Sequence, residues 1–288
     1  MTSPRFFVTG ASGQLGRLVV AALAERAGPA AVAAIVRDPA RAVGLFPEGV
    51  VVRQGDYDRP ETLAAAFAGA ERLLLISSNA IGDRVAQHRN AIEAAKRAGV
   101  ARIAYTSVLH ADVSKLGLAE EHRATEALVE ASGIAFTLLR NGWYTENYAA
   151  AIPAALAHDA LIGSAGEGRI ASAARRDYAE AAAAALLDDA GERVVHELAG
   201  DGSYTLAEFA AELSRQAGKA IPYVDLPEAE YRATLIGAGL PEPMAALLAD
   251  SDAAAAQGAL FDAAGALARL IGRPTTPFAA TIGETLAQ

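Results

Sequence analysis

Six short apolar runs alternate with longer helical patterns through the first half of the chain, and this alternation restricts the fold more than any other feature. The runs are Arg5–Gly10, Ala31–Arg37, Val50–Asp56, Glu71–Ser78, Ala101–Val108 and Ala135–Gly142. Most are near-continuous hydrophobics, as strands buried on both faces must be. Between them lie helical patterns at Gln14–Ala27, Pro39–Leu45, Pro60–Ala68, Arg84–Ala98 and Ala119–Ala131. Pro39 and Pro60 suit a first helical turn, and Gly99 and Gly133 suit helix ends. The pattern specifies an α/β fold with a doubly wound parallel sheet and helices on both faces.

The second half is less regular. Arg176–Asp188 reads as a helix and Val194–Ala199 as a strand. Thr205 and Glu208 read as a capping box that opens a helix through Ala217. Ile221–Leu226 and several short helices follow. The expected division is a first domain over 1–148, to which a segment near 168–200 returns, and a smaller C-terminal lobe over 149–288.

Composition narrows the class. With 52% hydrophobic and 20% charged residues the chain can bury a sizeable core. Its formal charge of −9 leaves no basic footprint, so a nucleic-acid partner is not expected. There is no cysteine, which excludes disulfides, thiolate metal sites and a thiol nucleophile. The N-terminus lacks the features of a secretory signal, and the alanine-rich run near Ala181–Leu187 is too short to cross a membrane. A cytoplasmic protein without a membrane partner is expected; an oligomer is compatible with all of this.

The first strand leads into Gly10-Ala11-Ser12-Gly13-Gln14-Leu15-Gly16, which opens the first helix. That context makes a glycine motif meaningful. Gly10 permits a tight turn, Gly13 lets the backbone approach a pyrophosphate, and Gly16 lets helix pack on strand. Amides at the helix start then face phosphate. The motif points to a Rossmann-type dinucleotide site. Arg37, ending the second strand, suits a 2′-phosphate, and Asp38 before Pro39 suits a helix cap, so NADPH is the expected cofactor. Asp56 and Tyr57 end the third strand and are expected on the adenine side. Ser77, Ser78 and Asn79 end the fourth and are expected to line the cofactor groove.

Several stretches resemble the NmrA-like branch of atypical short-chain dehydrogenases: Thr9–Gly16, Ala34–Arg37, Arg53–Tyr57, Leu73–Ser78, Gln87–Asn90, Ile103–Asp112 and Thr137–Asn147. The string Leu138-Leu139-Arg140-Asn141-Gly142-Trp143-Tyr144 with Glu146-Asn147 is the most specific, and Ala246–Ser251 and Leu260–Thr276 extend the likeness. The resemblance is strongest to the branch's bacterial NAD(P)H:quinone oxidoreductases. It implies an NADPH domain and a smaller lobe that form a cleft, with direct hydride transfer to a small-molecule quinone. The same branch includes triphenylmethane-dye reductases and non-catalytic NADP(H)-binding sensors, which remain alternatives.

Ordinary short-chain dehydrogenases use Ser with Tyr-x-x-x-Lys, the Tyr acting as proton donor. No tyrosine here has Lys four residues later. Ser107 matches the usual Ser, but the helix that should carry Tyr and Lys has His122-Arg123-Ala124-Thr125-Glu126. His122 and Glu126 read as a surface pair of little worth. Five scattered histidines make no metal site, and neither metal nor flavin is expected. A quinone delocalises the charge it gains and needs no strong acid, so the loss suits it. The expected catalytic residues are Asn141 and Tyr144, with Asn141 also beside the cofactor. Trp143, Tyr144, Asn147 and Tyr148 are the expected quinone contacts, because they follow the sixth strand at its carboxyl end.

Overall fold

The computed structural model describes residues 3–189 and 191–288. In chain order the strands and helices are β1 Phe6–Val8, α1 Gln14–Ala27, β2 Val32–Val36, β3 Val51–Gln54, α2 Pro60–Ala66, β4 Arg72–Leu75, α3 Arg84–Arg97, β5 Arg102–Val108, α4 Ala119–Ala131 and β6 Ala135–Asn141. There follow α5 Thr145–Ala149, α6 Ile152–His158, β7 Leu161–Gly163, α7 Arg175–Leu187, β8 Arg193–Leu198, α8 Leu206–Ala217, β9 Tyr223–Asp225, α9 Glu228–Gly237, α10 Glu242–Ala255, α11 Ala266–Ile271 and α12 Phe278–Leu286.

Seven strands form one sheet in the order β3-β2-β1-β4-β5-β6-β8, and β1 to β6 pair in parallel. β1, β2 and all but the first residue of β4 and β5 are buried, which is why these segments read as unbroken apolar runs. Phe7, Ile35, Leu73, Leu75, Ile103, Tyr105 and Leu138 pack on one side against Leu63, Phe67 and Ile92. β2 and β3 lie to one side of β1, and β4, β5, β6 and β8 to the other. The order therefore reverses between β1 and β4, and in open α/β sheets ligands bind outside the carboxyl ends of the strands at such a switch point.

Most elements are shorter than the sequence pattern suggests, by one to three residues at an end. Pro39–Leu45 differs in kind: it is a single 3₁₀ turn over Pro39–Ala42. Asp38 caps it by accepting from the Ala40 amide, and Gly44 at φ +75° ends any helical continuation.

The chain divides into two compact units. The first comprises 1–111, 120–141 and 176–196; the second comprises 112–119, 142–175 and 197–288. The chain thus leaves the first unit at Asn141 and not at 148. The reason is local pairing: the Trp143 carbonyl accepts from the Ala173 amide, and the Thr145 amide donates to the Ala173 carbonyl. Within the second unit β7 and β9 pair in parallel, and Tyr204, Phe209 and Phe278 pack as an aromatic core with Tyr148. The Thr205–Glu208 capping box opens α8, with Thr205 accepting from the Glu208 amide and Glu208 from the Thr205 amide.

Candidate active site

The glycine loop joins β1 to α1 at the switch point. Gly10 has φ +59°, a left-handed conformation that favours glycine, and its carbonyl accepts from the Gly13 amide at 3.0 Å. A Cβ on Gly16 would lie 2.4 Å from the Gly10 carbonyl and 2.7 Å from Ala11 Cα. Only glycine lets α1 start this close to the turn. Gly13 stands at the N-cap of α1 with no side-chain cap, and Ser12, Gly13 and Gln14 are exposed while Ala11, Leu15 and Gly16 are buried. The loop is therefore a cradle of backbone with helix-start amides facing outward, which fits a pyrophosphate. Arg37 is exposed at the end of β2 beside that loop, and the Asp38 carboxylate is already engaged as a cap.

Thr9 locks the switch point. Its buried hydroxyl donates to the Leu74 carbonyl at 2.9 Å and accepts from the Ile76 amide at 3.1 Å. Tyr57 donates its own hydroxyl to Thr9 and reaches the Ile76 carbonyl at 2.9 Å. The Tyr57 tip is thus committed to the strand ends, and burial raises its pKa above the ordinary phenol value. Asp56 turns back to accept from the Asp58 amide at 3.1 Å.

The segment Ser77–Asn79 is held from beneath. Its amides bind Thr106 Oγ1 from Ser77 and His88 Nε2 from Ser78, and Arg84 Nε donates to the Ser78 carbonyl at 2.6 Å. His88 Nε2 accepts, so Nδ1 carries the proton and donates to Thr125 Oγ1 at 2.9 Å. Burial lowers the His88 pKa to about 3, which keeps the ring neutral and the tautomer single. Arg84 and His88 were missed by the sequence reading. The available signal was a polar stripe at 84, 87 and 88 continuing the apolar positions 91, 92 and 95 of α3.

His122 and Glu126 are not the surface pair expected of them. Both are buried, at 5% and 6% exposure. His122 Nδ1 meets the Tyr105 hydroxyl at 2.8 Å. Glu126 accepts from Ser107 Oγ at 2.5 Å and from two nitrogens of Arg140, at 3.0 and 2.8 Å. The inward face of α4 packs on β5 and β6, and the sequence spacing alone did not say which face that was. Ser107 therefore gives its hydroxyl to Glu126, unlike the substrate-facing Ser of ordinary short-chain dehydrogenases.

Asn141 is buried at the end of β6, paired in register with Val108, and its carbonyl accepts from the Leu109 amide at 2.9 Å. In the second unit, Tyr144 and Asn147 are half-buried and share one neighbour, Arg175. Its guanidinium lies 4.8 Å from the centre of the Tyr144 ring, and one nitrogen is 3.4 Å from Asn147 Oδ1. Trp143 is 8% exposed. Tyr148 departs from expectation: it is buried and donates to Asp252 Oδ1 at 3.0 Å, so it belongs to the core and not to the substrate contacts. Asp252 also accepts from the Ser164 amide, and burial raises its pKa to about 6.

A family profile described as NAD(P)H-binding matches residues 10–189. The chain is 52% identical over 277 residues to quinone oxidoreductase 2 of Escherichia coli, covering 96% of this chain and 97% of that one. The crystal structure of the NADPH-dependent quinone oxidoreductase from Escherichia coli in complex with NADPH superposes with a TM-score of 0.93, over 98% of this chain and 99% of that one. The Citrobacter triphenylmethane reductase complexed with NADP(H) is 36% identical with a TM-score of 0.92, over 97% and 99%. The chain belongs to the NAD(P)H-binding family and, within it, to that of quinone oxidoreductase 2.

Proposed function

We infer that the protein is an NADPH-dependent quinone oxidoreductase that passes hydride to a small-molecule quinone without metal or flavin. The observation that carries this reading is the 52% identity to the Escherichia coli enzyme over nearly all of both chains. The site geometry supports it. Bound NADPH supplies the hydride. The glycine loop from Gly10 to Gly16 cradles the pyrophosphate at the start of α1, and Arg37 pairs with the 2′-phosphate. Ser77, Ser78, Asn79 and Asn141 line the groove, braced by Thr106, His88 and Arg84. Trp143, Tyr144 and Asn147 follow Asn141 in the chain and receive the flat acceptor.

No Tyr/Lys acid is needed for such an acceptor. The charge that a quinone gains spreads over its ring, so water suffices as the proton source. The cytoplasm suits a cysteine-free enzyme that draws on NADPH, and among the described residues no helix is long and apolar enough to cross a membrane. The net charge of −9 favours no nucleic acid. A second acceptor class, triphenylmethane dyes, is favoured by the likeness to the Citrobacter reductase.

The test is steady-state oxidation of NADPH by purified, flavin-free protein across a panel of quinones and dyes. Stoichiometric hydroquinone and NADP⁺ are expected. Tight NADPH binding with no turnover above buffer for every acceptor would overturn the enzymatic reading.

A further inference from the structure

Arg84 stands at the first position of α3, where a cation opposes the helix dipole, and it is buried as well. The first turn of α3 carries no acid to offset it. The guanidinium serves the loop between β4 and α3 instead. Its Nε donates to the Ser78 carbonyl at 2.6 Å, and its Nη1 lies 3.3 Å from Glu121 Oε2. Glu121 belongs to the first turn of α4, and its other oxygen accepts from the Gly82 amide at 2.9 Å. One turn further along α4, Thr125 accepts from His88 Nδ1 and donates to the Glu121 carbonyl, each at 2.9 Å. His88 in turn accepts from the Ser78 amide. Ser78 and Gly82 are thus both tied to one helix, and every group in this clamp belongs to the first compact unit.

The order of the sheet says which part of a dinucleotide the loop meets. Arg37 ends β2 and the glycine loop follows β1. A cofactor with its 2′-phosphate at Arg37 and its pyrophosphate at the glycine loop therefore runs along the carboxyl ends of the strands, from β2 across β1. The next strand is β4, about 5 Å further on. The loop that follows it, with Ser77, Ser78 and Asn79, meets the nicotinamide half. We propose that Glu121 is a positioning residue for that half of NADPH: through Arg84 and the Gly82 amide it fixes the shape of the β4–α3 loop. The assignment rests on the NADPH-dependent reading above. Irregular backbone that is ordered before the ligand arrives loses less entropy on binding, so a clamped loop holds the cofactor more tightly. A buried ion pair by itself adds little net stability, and what this one supplies is the placement of the loop.

The experiment compares wild type, Glu121→Gln and Glu121→Ala by calorimetry with two ligands, NADPH and adenosine 2′,5′-bisphosphate. The second ligand carries the 2′-phosphate and lacks the nicotinamide half. Glu121→Ala should weaken NADPH about tenfold and change the bisphosphate by less than about twofold. Glu121→Gln keeps an oxygen that accepts from the Gly82 amide, so its NADPH affinity should fall between the other two. A parallel loss for both ligands, unchanged NADPH affinity in Glu121→Ala, or Glu121→Gln no better than Glu121→Ala would overturn the assignment. If Glu121→Ala does not fold, Glu121→Gln against wild type decides: NADPH must lose more than the bisphosphate, and equal losses refute the role. Wild type without affinity for NADPH would instead sink the cofactor reading, a result distinct from an NADPH-binding protein indifferent to residue 121.

Discussion

On the proposed function, Arg37, exposed at the end of β2, carries the choice between NADPH and NADH. A charge-assisted bond to the 2′-phosphate is worth about 1.5–3 kcal/mol. Arg37→Ala is therefore expected to weaken NADPH binding about ten- to a hundredfold and NADH binding far less, as read by calorimetry. Equal losses for both would remove Arg37 from the site. Gly16 tests the cradle itself. A methyl group there meets the Gly10 carbonyl at 2.4 Å, so Gly16→Ala must push α1 from the turn. Stability should fall by about 1–3 kcal/mol, and NADPH affinity should fall in the same protein. Unchanged affinity for both cofactors would show that the turn is not the phosphate cradle. The tight turn at Gly10 and the close approach at Gly16 were legible in the sequence, because a strand–glycine–helix junction restricts its own backbone locally.

At the scale of elements, α3 and α4 were placed along the chain by their periodicity, but their polar inward residues were not interpreted. His88 and Glu126 look like ordinary helix polar residues until β4, β5 and β6 are packed beside them. Glu126 is the sharpest case, since it accepts from both Ser107 and Arg140 in the interior. Removing one partner of a buried pair strands the other charge and costs about 3–5 kcal/mol. Glu126→Ala should show that loss in urea unfolding, whereas a change below about 1 kcal/mol would mean the pair is solvated. Tyr148 makes the same point from the other direction. It sits one turn from Tyr144, yet its hydroxyl is spent on Asp252.

For the whole molecule, the buried titratable groups set how stability follows pH. Burial lowers His88 and His122 each to about 3, so both are neutral when folded and take up protons on unfolding. Their stabilising share is complete above the unfolded histidine pKa near 6.5 and is lost as pH falls below it. Each loses about 2 kcal/mol between pH 7.5 and pH 5. Asp252 works in the opposite sense, because its folded pKa is raised to about 6. Returning its proton restores slightly more than about 1 kcal/mol over the same range. The net expectation is a loss of about 2–3 kcal/mol on acidification to pH 5, measured by denaturant titration. Stability that is flat or rising toward pH 5 would contradict neutral buried histidines.

The sequence by itself determined the strand–helix alternation, the glycine turn, the basic residue beside it and the capping box of α8. Each of these depends on neighbours within a few residues, where backbone sterics and hydrogen bonding decide the outcome. The tertiary structure alone decided that Ser107, Glu126 and Arg140 meet, that His88 braces the Ser78 amide, that Tyr148 turns to Asp252, and that Arg175 lies over Tyr144. These partners are separated in the chain by 10 residues for Ser78 and His88 and by 104 for Tyr148 and Asp252. No local preference links residues so far apart. Only the burial of both partners on packed elements forces each polar group to find the other, because an unpaired polar group in the interior is too costly to leave.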